Sequence, residues 1–183
     1  MIGSKIIRTL LTAVCFLVVL TALGFGDSLK TTASGTTLDG KIVSGEYSYE
    51  ASFDSNRLKL YLNRTPTTLS VGIMAETSGW VAVGFDSLMM DKAKIFIGYV
   101  QGGKISFRSD RGQGHRHGPD GSVDVKGHAL FEEAGKTVME IEFAPGSLIG
   151  SGDRSLSLII GYGGSDSFSS MHRYRTSSRI DLE

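Results

Sequence analysis

The sequence has a single cysteine, Cys15, which lies in an apolar N-terminal stretch. The rest of the chain therefore offers neither a disulfide nor a thiolate for catalysis or metal binding. A Cys-x-x-Cys-His haem attachment and a cysteine-ligated iron–sulfur cluster are excluded for the same reason.

The sequence also lacks an excess of either charge, with 19 basic residues against 19 acidic ones. Without residues 1–26 the chain loses Lys5 and Arg8, so 17 basic residues face 19 acidic ones and the net charge is −2. No basic patch interleaved with aromatic residues is present, so we expect no nucleic-acid partner. Gly-x-Ser-x-Gly, phosphate-loop and dinucleotide fingerprints are absent too.

The N-terminus has the layout of a secretory signal peptide. Lys5 and Arg8 precede an apolar run over residues 10–23, and small residues follow. We therefore predict a signal peptide over 1–26 and a periplasmic or secreted protein with no stable membrane insertion after cleavage. The alternative is a retained N-terminal anchor, for which the apolar run is short.

The remaining chain shows no helical periodicity longer than about two turns. Residues 27–38 are rich in Ser, Thr and Gly and predict an exposed linker. Residues 39–183 predict one all-β domain, an antiparallel sandwich or barrel, because short alternating or apolar runs recur between Gly and Pro turn signals. The predicted strands include 58–62, 69–75, 80–85, 95–100, 105–107, 123–125, 139–143, 156–160 and 178–182. Residues 108–121 are polar and Gly-rich and predict a mobile surface loop.

The most informative segment joins two of these strands. Gly79–Phe85 and Ile95–Val100 flank a loop that carries Met89 and Met90. A thioether is apolar and is also a known ligand of haem iron, so the loop is a candidate wall of a cofactor pocket. His172 is the best candidate for a second ligand. The alternative is that the methionines fill a gap in the core.

The domain resembles the DOMON family, whose sandwich domains bind haem or sugars. The resemblance rests on Asp39–Tyr47, on Gly79–Phe85, on Met90 before a strand that ends Gly98-Tyr99-Val100, and on His172 before the last strand. In the haem-binding branch, which includes the cytochrome domain of cellobiose dehydrogenase, the corresponding methionine and histidine are the axial ligands. The sequence departs from the family pattern at Lys92-Ala93-Lys94, where relatives have Gly-Ala-Asp.

The resemblance implies an immunoglobulin-like sandwich with non-covalent b-type haem, ligated by Met90 and His172 between the sheets at one end. It implies electron transfer with a redox partner protein or a membrane electron carrier, and no catalysis on a substrate. The expected apolar wall consists of Trp80, Phe85, Ile95, Phe96 and Tyr99.

Arg173 and Arg175 are the expected partners of the haem propionates, because guanidinium pairs well with carboxylate. Alternation along an extended strand places both arginines on the face opposite Tyr174 and, by the same period, opposite His172. If the segment is extended throughout, either the arginines or His172 can face a pocket, and a loop would relax this limit.

Three further interpretations stay open. The first is a haem-free module that binds a sugar or other small ligand, with Trp80, Tyr99 and Tyr174 as stacking surfaces. The second is a structural or interaction domain with no small ligand. The third is a metal site at His115 and His117, with Asp110 or Asp120 as a further ligand.

Overall fold

The computed structural model describes residues 28–183, and these residues form a two-layer β-sandwich. The predicted signal peptide over 1–26 lies outside the described residues. The strands are β1 (Ser28–Leu29), β2 (Tyr49–Phe53), β3 (Leu58–Arg64), β4 (Leu69–Ala75), β5 (Val81–Phe85), β6 (Lys94–Gln101), β7 (Lys104–Gln113), β8 (Arg116–Pro119), β9 (Val125–Glu133), β10 (Lys136–Phe143), β11 (Ser155–Gly163) and β12 (His172–Leu182). Short 3₁₀ turns lie at Asp54–Asn56 and Pro145–Ser147. The predicted all-β class is confirmed.

The larger sheet has the strand order β1-β12-β11-β5-β6-β7-β8, and the smaller sheet has the order β2-β3-β4-β10-β9. The pairs within both sheets are antiparallel except for β1 and β12, which pair in parallel. The strand Val81–Phe85 therefore lies near the centre of the larger sheet, between β11 and β6.

The core lies between the two sheets and takes alternate residues from each strand, as the two-residue period requires. Val81, Val83 and Phe85 of β5 are fully buried there. Phe85 packs edge-on against Phe143, with ring centroids 6.2 Å apart, and Phe96 lies 4.7 Å from the same ring. The intervening residues of β5 must point to the outer face of the larger sheet.

The predicted exposed linker over 27–38 packs on the domain in its described part. Leu29 is fully buried, and Ser28 and Leu29 pair with Asp181 and Leu182 of β12. Burying one leucine side chain contributes about 2 kcal/mol to the docking of this segment on the sheet.

The polar segment 108–121, expected to be a mobile loop, is instead an ordered hairpin. Strands β7 and β8 pair from Asp110 with Pro119 to Gln113 with Arg116. Among the residues that suggested a loop, Gly114 lies in the tight turn and the polar residues lie on the outward face of the strand. This hairpin extends the larger sheet beside the Met90 loop.

The Asp39–Tyr47 motif covers the outer face of the smaller sheet. The buried carboxylate of Glu140 accepts hydrogen bonds from the Tyr47 hydroxyl (2.7 Å), the Gly40 amide (2.7 Å) and the Asp39 amide (3.0 Å). The motif is therefore a structural anchor at the sheet opposite the candidate site.

Candidate functional site

A cavity of about 350 Å³ opens on the outer face of the larger sheet. Its lining includes Met90 from the β5–β6 loop, His172 and Arg175 from β12, and His117 from β8. The expectation of a site between the sheets is wrong, because the space between the sheets is filled by the aromatic and aliphatic core. The volume lies within the range of small-molecule and cofactor pockets.

The floor of the cavity is apolar and consists of the outward residues of three neighbouring strands. These residues are Ala82, Gly84, Ile95, Ile97, Ile159 and Gly161. Gly84 lies between two isoleucines, since a Cβ there would be 2.8 Å from Ile159 Cγ1 and 3.1 Å from Ile95 Cγ1. The missing side chain leaves a shallow depression in the centre of the floor.

Backbone contacts fix the Met90 loop to the β7–β8 hairpin. A Cβ at Gly112 would lie 1.6 Å from the Met90 carbonyl oxygen, so only glycine permits this approach. The Lys92 amide donates to the Gly112 carbonyl (3.0 Å), and the Gly112 amide donates to the Ala93 carbonyl (2.9 Å). The Gly114 amide donates to Asp91 Oδ1 at 2.8 Å. The hairpin therefore determines where Met90 lies.

Met89 and Met90 differ in environment. Met89 is 68% exposed, whereas Met90 packs against the apolar cluster of Trp80, Ile95 and Ile97 and lines the cavity. Of the two methionines, Met90 is the one whose thioether belongs to the candidate site.

The lysines that replace the family's Gly and Asp do not line the cavity. Lys92 has φ +65°, the left-handed conformation that glycine adopts without strain. Lys94 Nζ pairs with Asp86 (2.7 Å) and donates to the Ser147 carbonyl (3.2 Å). Lys92 thus has a backbone conformation that suits glycine, while the charge of Lys94 is paired outside the cavity.

A β-bulge at Arg173 turns both His172 and Arg175 toward the cavity. Tyr162 pairs with Tyr174, and the next residue of β11, Gly163, pairs with His172, so β12 contains one extra residue. Strict alternation predicted that either His172 or the two arginines could face a pocket, but not both. The bulge removes this constraint for His172 and Arg175. Arg175 lines the cavity, whereas Arg173 does not, and the Arg173 side chain lies against Gly164.

The electrostatics around His172 favour a neutral imidazole. Burial and the positive charge of Arg175 lower the pKa of His172 below its ordinary value. A neutral ring is the form that binds a metal. Arg175 contributes a cation at the same rim, where it could pair with an anionic group of a ligand.

The predicted aromatic wall is partly wrong. Trp80 lines the cavity and its Nε1 donates to Ser170 Oγ at 2.9 Å. Phe85 and Phe96 do not line it, because they lie on the inward faces of β5 and β6 within the core. Ile95 does line it. Tyr99 lies beside the cavity, where it lines a wider depression of about 1340 Å³ and contacts Phe168.

The three aromatic residues predicted to stack on a sugar do not form one exposed surface. Trp80 is 7% exposed, Tyr174 stacks on Tyr162 with the core, and Phe168 lies 4.8 Å from the Tyr99 ring. The sequence prediction missed Ala82, Gly84, Ile97 and Ile159. Strict alternation from Trp80 identifies Ala82 and Gly84 and also excludes Phe85.

The two histidines of the β7–β8 hairpin have different environments. His115 is exposed in the turn, whereas His117 lines the cavity and its Nδ1 contacts the buried carboxylate of Asp110. Within residues 28–183, no cluster of three or more His, Cys, Asp or Glu residues could hold a metal ion. The structure therefore does not support the predicted metal site formed by His115 and His117 with a nearby carboxylate.

The cavity suits a flat apolar group that carries a metal and an anionic edge. It offers a thioether and two imidazoles as donors, an apolar floor with a depression at Gly84, and Arg175 at the rim. Thioether and imidazole are among the side-chain groups that hold haem iron in proteins. Among the described residues, none forms a helix long and apolar enough to cross a membrane.

Comparison with known proteins supports the fold. No protein-family model and no curated protein matches the sequence. The cytochrome b domain of pyranose dehydrogenase from Coprinopsis cinerea has a similar structure, with a TM-score of 0.56 and 8% identity over 72% of this chain and 80% of that one.

Two further solved structures are similar. The cytochrome domain of cellobiose dehydrogenase from Myriococcum thermophilum has a TM-score of 0.55 and 11% identity, over 74% of this chain and 81% of that one. A family 9 carbohydrate-binding module from Caldicellulosiruptor kristjanssonii has a TM-score of 0.47 and 11% identity, over 85% of this chain and 93% of that one. The resemblance noted in the sequence thus extends to the fold of the cytochrome domains.

Proposed function

We propose that this protein is a b-type haem-binding electron-transfer domain of the periplasm or the extracellular space, with Met90 and His172 as the axial ligands. One observation carries the proposal: Met90 and His172, from distant parts of the chain, line the same apolar cavity. The fold shared with two cytochrome domains supports it. A bound haem would supply a one-electron couple at its iron.

The protein's residues would hold that group and limit its chemistry. The Met90 thioether and the His172 imidazole would together hold the iron, which would leave no open position for oxygen or a substrate and would favour the reduced state. The apolar floor around Gly84 would exclude water from the bound group, and Arg175 would pair with one of its carboxylates at the rim. Because both ligands lie on ordered strands or on a loop fixed to the hairpin, little needs to move when an electron enters or leaves.

The electron partner would be a redox enzyme or a membrane carrier that approaches the open side of the cavity. Met89 and Met171 are 68% and 80% exposed at the wider depression around it. Met89 and Met171 also serve as matched controls, because they are methionines near the cavity whose side chains are mostly in solvent.

The ligand assignment is tested by substitution in the full chain, purified with haem supplied. Met90→Ala and His172→Ala should each change the spectrum, either to high spin or to a different low-spin ligand pair, and should weaken haem retention. Met89→Ala and Met171→Ala should leave the wild-type spectrum unchanged. Unchanged spectra in both Met90→Ala and His172→Ala would show that the ligands lie elsewhere.

A further inference from the structure

His117 is a third potential ligand in the cavity, and its ring is held in the manner of metal-binding histidines. Its Nδ1 contacts Oδ2 of Asp110, so in the neutral ring the Nδ1 proton lies toward the carboxylate. Nε2 is then the nitrogen left with a lone pair. Histidines that bind metals usually donate their other ring N–H to a carboxylate or carbonyl in this way.

The carboxylate that holds His117 is itself firmly placed. The Asp110 side chain has no exposed surface, although it lies on the outward face of β7. Arg108 Nη2 donates to Asp110 Oδ2 at 2.7 Å, and Arg108 Nε lies 2.6 Å from Oδ1 as an ion pair without hydrogen-bond alignment. A buried carboxylate with two cationic or donor partners has few orientations available, so it restricts His117 as well.

The same network reaches the segment that precedes His172. The Arg108 guanidinium lies over the Phe168 ring, 4.4 Å from its centroid. Ser170, two residues later, accepts the Trp80 indole N–H. Arg108 thus links Asp110 on the hairpin to the segment before His172, on the opposite wall of the cavity. This link helps to fix the position of one wall relative to the other.

The backbone places His117 on the same side of the cavity as Met90. Gly112 contacts the Met90 carbonyl, and the cross-strand partner of Gly112 is His117. Residues directly opposite in an antiparallel pair point to the same face of the sheet. His172 approaches from β12, on the far side of β11, β5 and β6. Met90 and His117 therefore face His172 from one wall.

We propose that His117 is an alternative ligand to Met90, and that it would hold the haem iron together with His172 when the thioether is not bound. The proposal rests on the proposed function, since it concerns the same haem site. With haem bound, the Nε2 lone pair of the neutral His117 ring would take the place of the Met90 sulfur. This replacement would transfer no electron, and the neutral ring would release no proton because Nδ1 keeps its proton toward Asp110.

The exchange would change the electronic properties of the site. Thioether ligation raises the reduction potential, so replacing sulfur by a second imidazole lowers it.

The test compares Met90→Ala with the double variant Met90→Ala/His117→Ala, each in the full chain purified with haem. Met90→Ala should remain low-spin, with the electron paramagnetic resonance signature of two imidazoles and a lower potential than wild type. The double variant should be high-spin, and added imidazole should restore its low-spin spectrum, which shows that the site is intact. Met90→Ala/His115→Ala, which removes the exposed histidine of the same hairpin, should behave like Met90→Ala alone.

Two different results would contradict the proposal, and they differ in what they mean for the proposed function. If Met90→Ala is already high-spin and indistinguishable from the double variant, His117 is not a ligand, although the proposed function stands. If wild type retains no haem, both proposals fail together. As a second readout, Asp110→Asn in the Met90→Ala background should increase the high-spin fraction, because Asp110 acts as a positioning residue for the His117 ring.

Discussion

Gly112 of β7 lies directly against the backbone of Met90, so closely that a Cβ at position 112 would be 1.6 Å from the Met90 carbonyl oxygen. This contact joins the methionine loop to the hairpin that carries His117. It also makes the position of the candidate ligand Met90 depend on Gly112, which does not line the cavity itself.

Gly112→Ala should displace the Met90 loop and destabilise the protein by about 1–3 kcal/mol, the usual effect of overpacking at a tight contact. In the haem-loaded chain the variant should also lose part of the wild-type low-spin spectrum. Gly118→Ala is the matched control, because a Cβ at Gly118 in the same hairpin has nothing within 4 Å. Equal effects of the two substitutions on denaturation and spectrum would contradict the account.

Lys92→Gly should stabilise the protein. Lys92 has φ +65°, a conformation that disfavours any residue with a Cβ by about 1–2 kcal/mol. Glycine loses more chain entropy on folding, so the expected net gain is about 0.5–1 kcal/mol by urea denaturation. Lys92→Ala removes the charge but keeps the Cβ and should bring no such gain. If Lys92→Ala stabilised the protein as well, the gain would come from the loss of the charge and not from the backbone conformation.

Gly84→Val should reduce the haem bound per folded chain. A side chain at Gly84 would contact Ile159 and Ile95 and fill the depression in the floor. Ile159→Val removes a methylene from the same floor and should retain haem. The measurement is haem content by absorbance at equal protein concentration after gel filtration, with circular dichroism to confirm the fold. Full retention by Gly84→Val would mean that the floor does not contact the macrocycle.

Glu140 should make the stability of the protein depend on pH. Burial raises the pKa of its carboxyl above the ordinary value, despite the hydrogen bonds from Tyr47, Gly40 and Asp39. The folded state then holds the proton more tightly than the unfolded state, so this group's contribution to stability is present below the unfolded pKa and is lost as pH rises through the folded pKa.

Glu140→Gln removes this titration. The free energy of unfolding of wild type relative to Glu140→Gln should therefore decline as pH rises from about 4.5 toward neutrality. Urea denaturation of both proteins across this range measures it. A difference that stays constant with pH would contradict the assigned cause.

Sequence patterns predicted the sandwich well, because its strands alternate and its turns are marked by glycine. The same alternation places Trp80, Ala82 and Gly84 on one face of the strand and Phe85 on the other, so it predicts that Phe85 lies in the core. Because Trp80, Ala82 and Gly84 point away from the core, the alternation also indicates a site on the outer face of the larger sheet.

Other features depend on pairing between distant segments and are not visible in local patterns. The bulge at Arg173, which brings His172 and Arg175 to one face, arises from the register of β12 on β11. The order of the β7–β8 hairpin and the burial of Asp110 depend on contacts with the Met90 loop and with Arg108. Such cross-strand relations require the folded structure.

The most direct test of the central claim is the absorption spectrum of the full chain purified with haem supplied, recorded oxidised and after reduction with dithionite. The account predicts one haem per chain, a sharp low-spin Soret band, and a narrow α band that appears on reduction and disappears on reoxidation. A chain that folds but retains no haem after purification would contradict it.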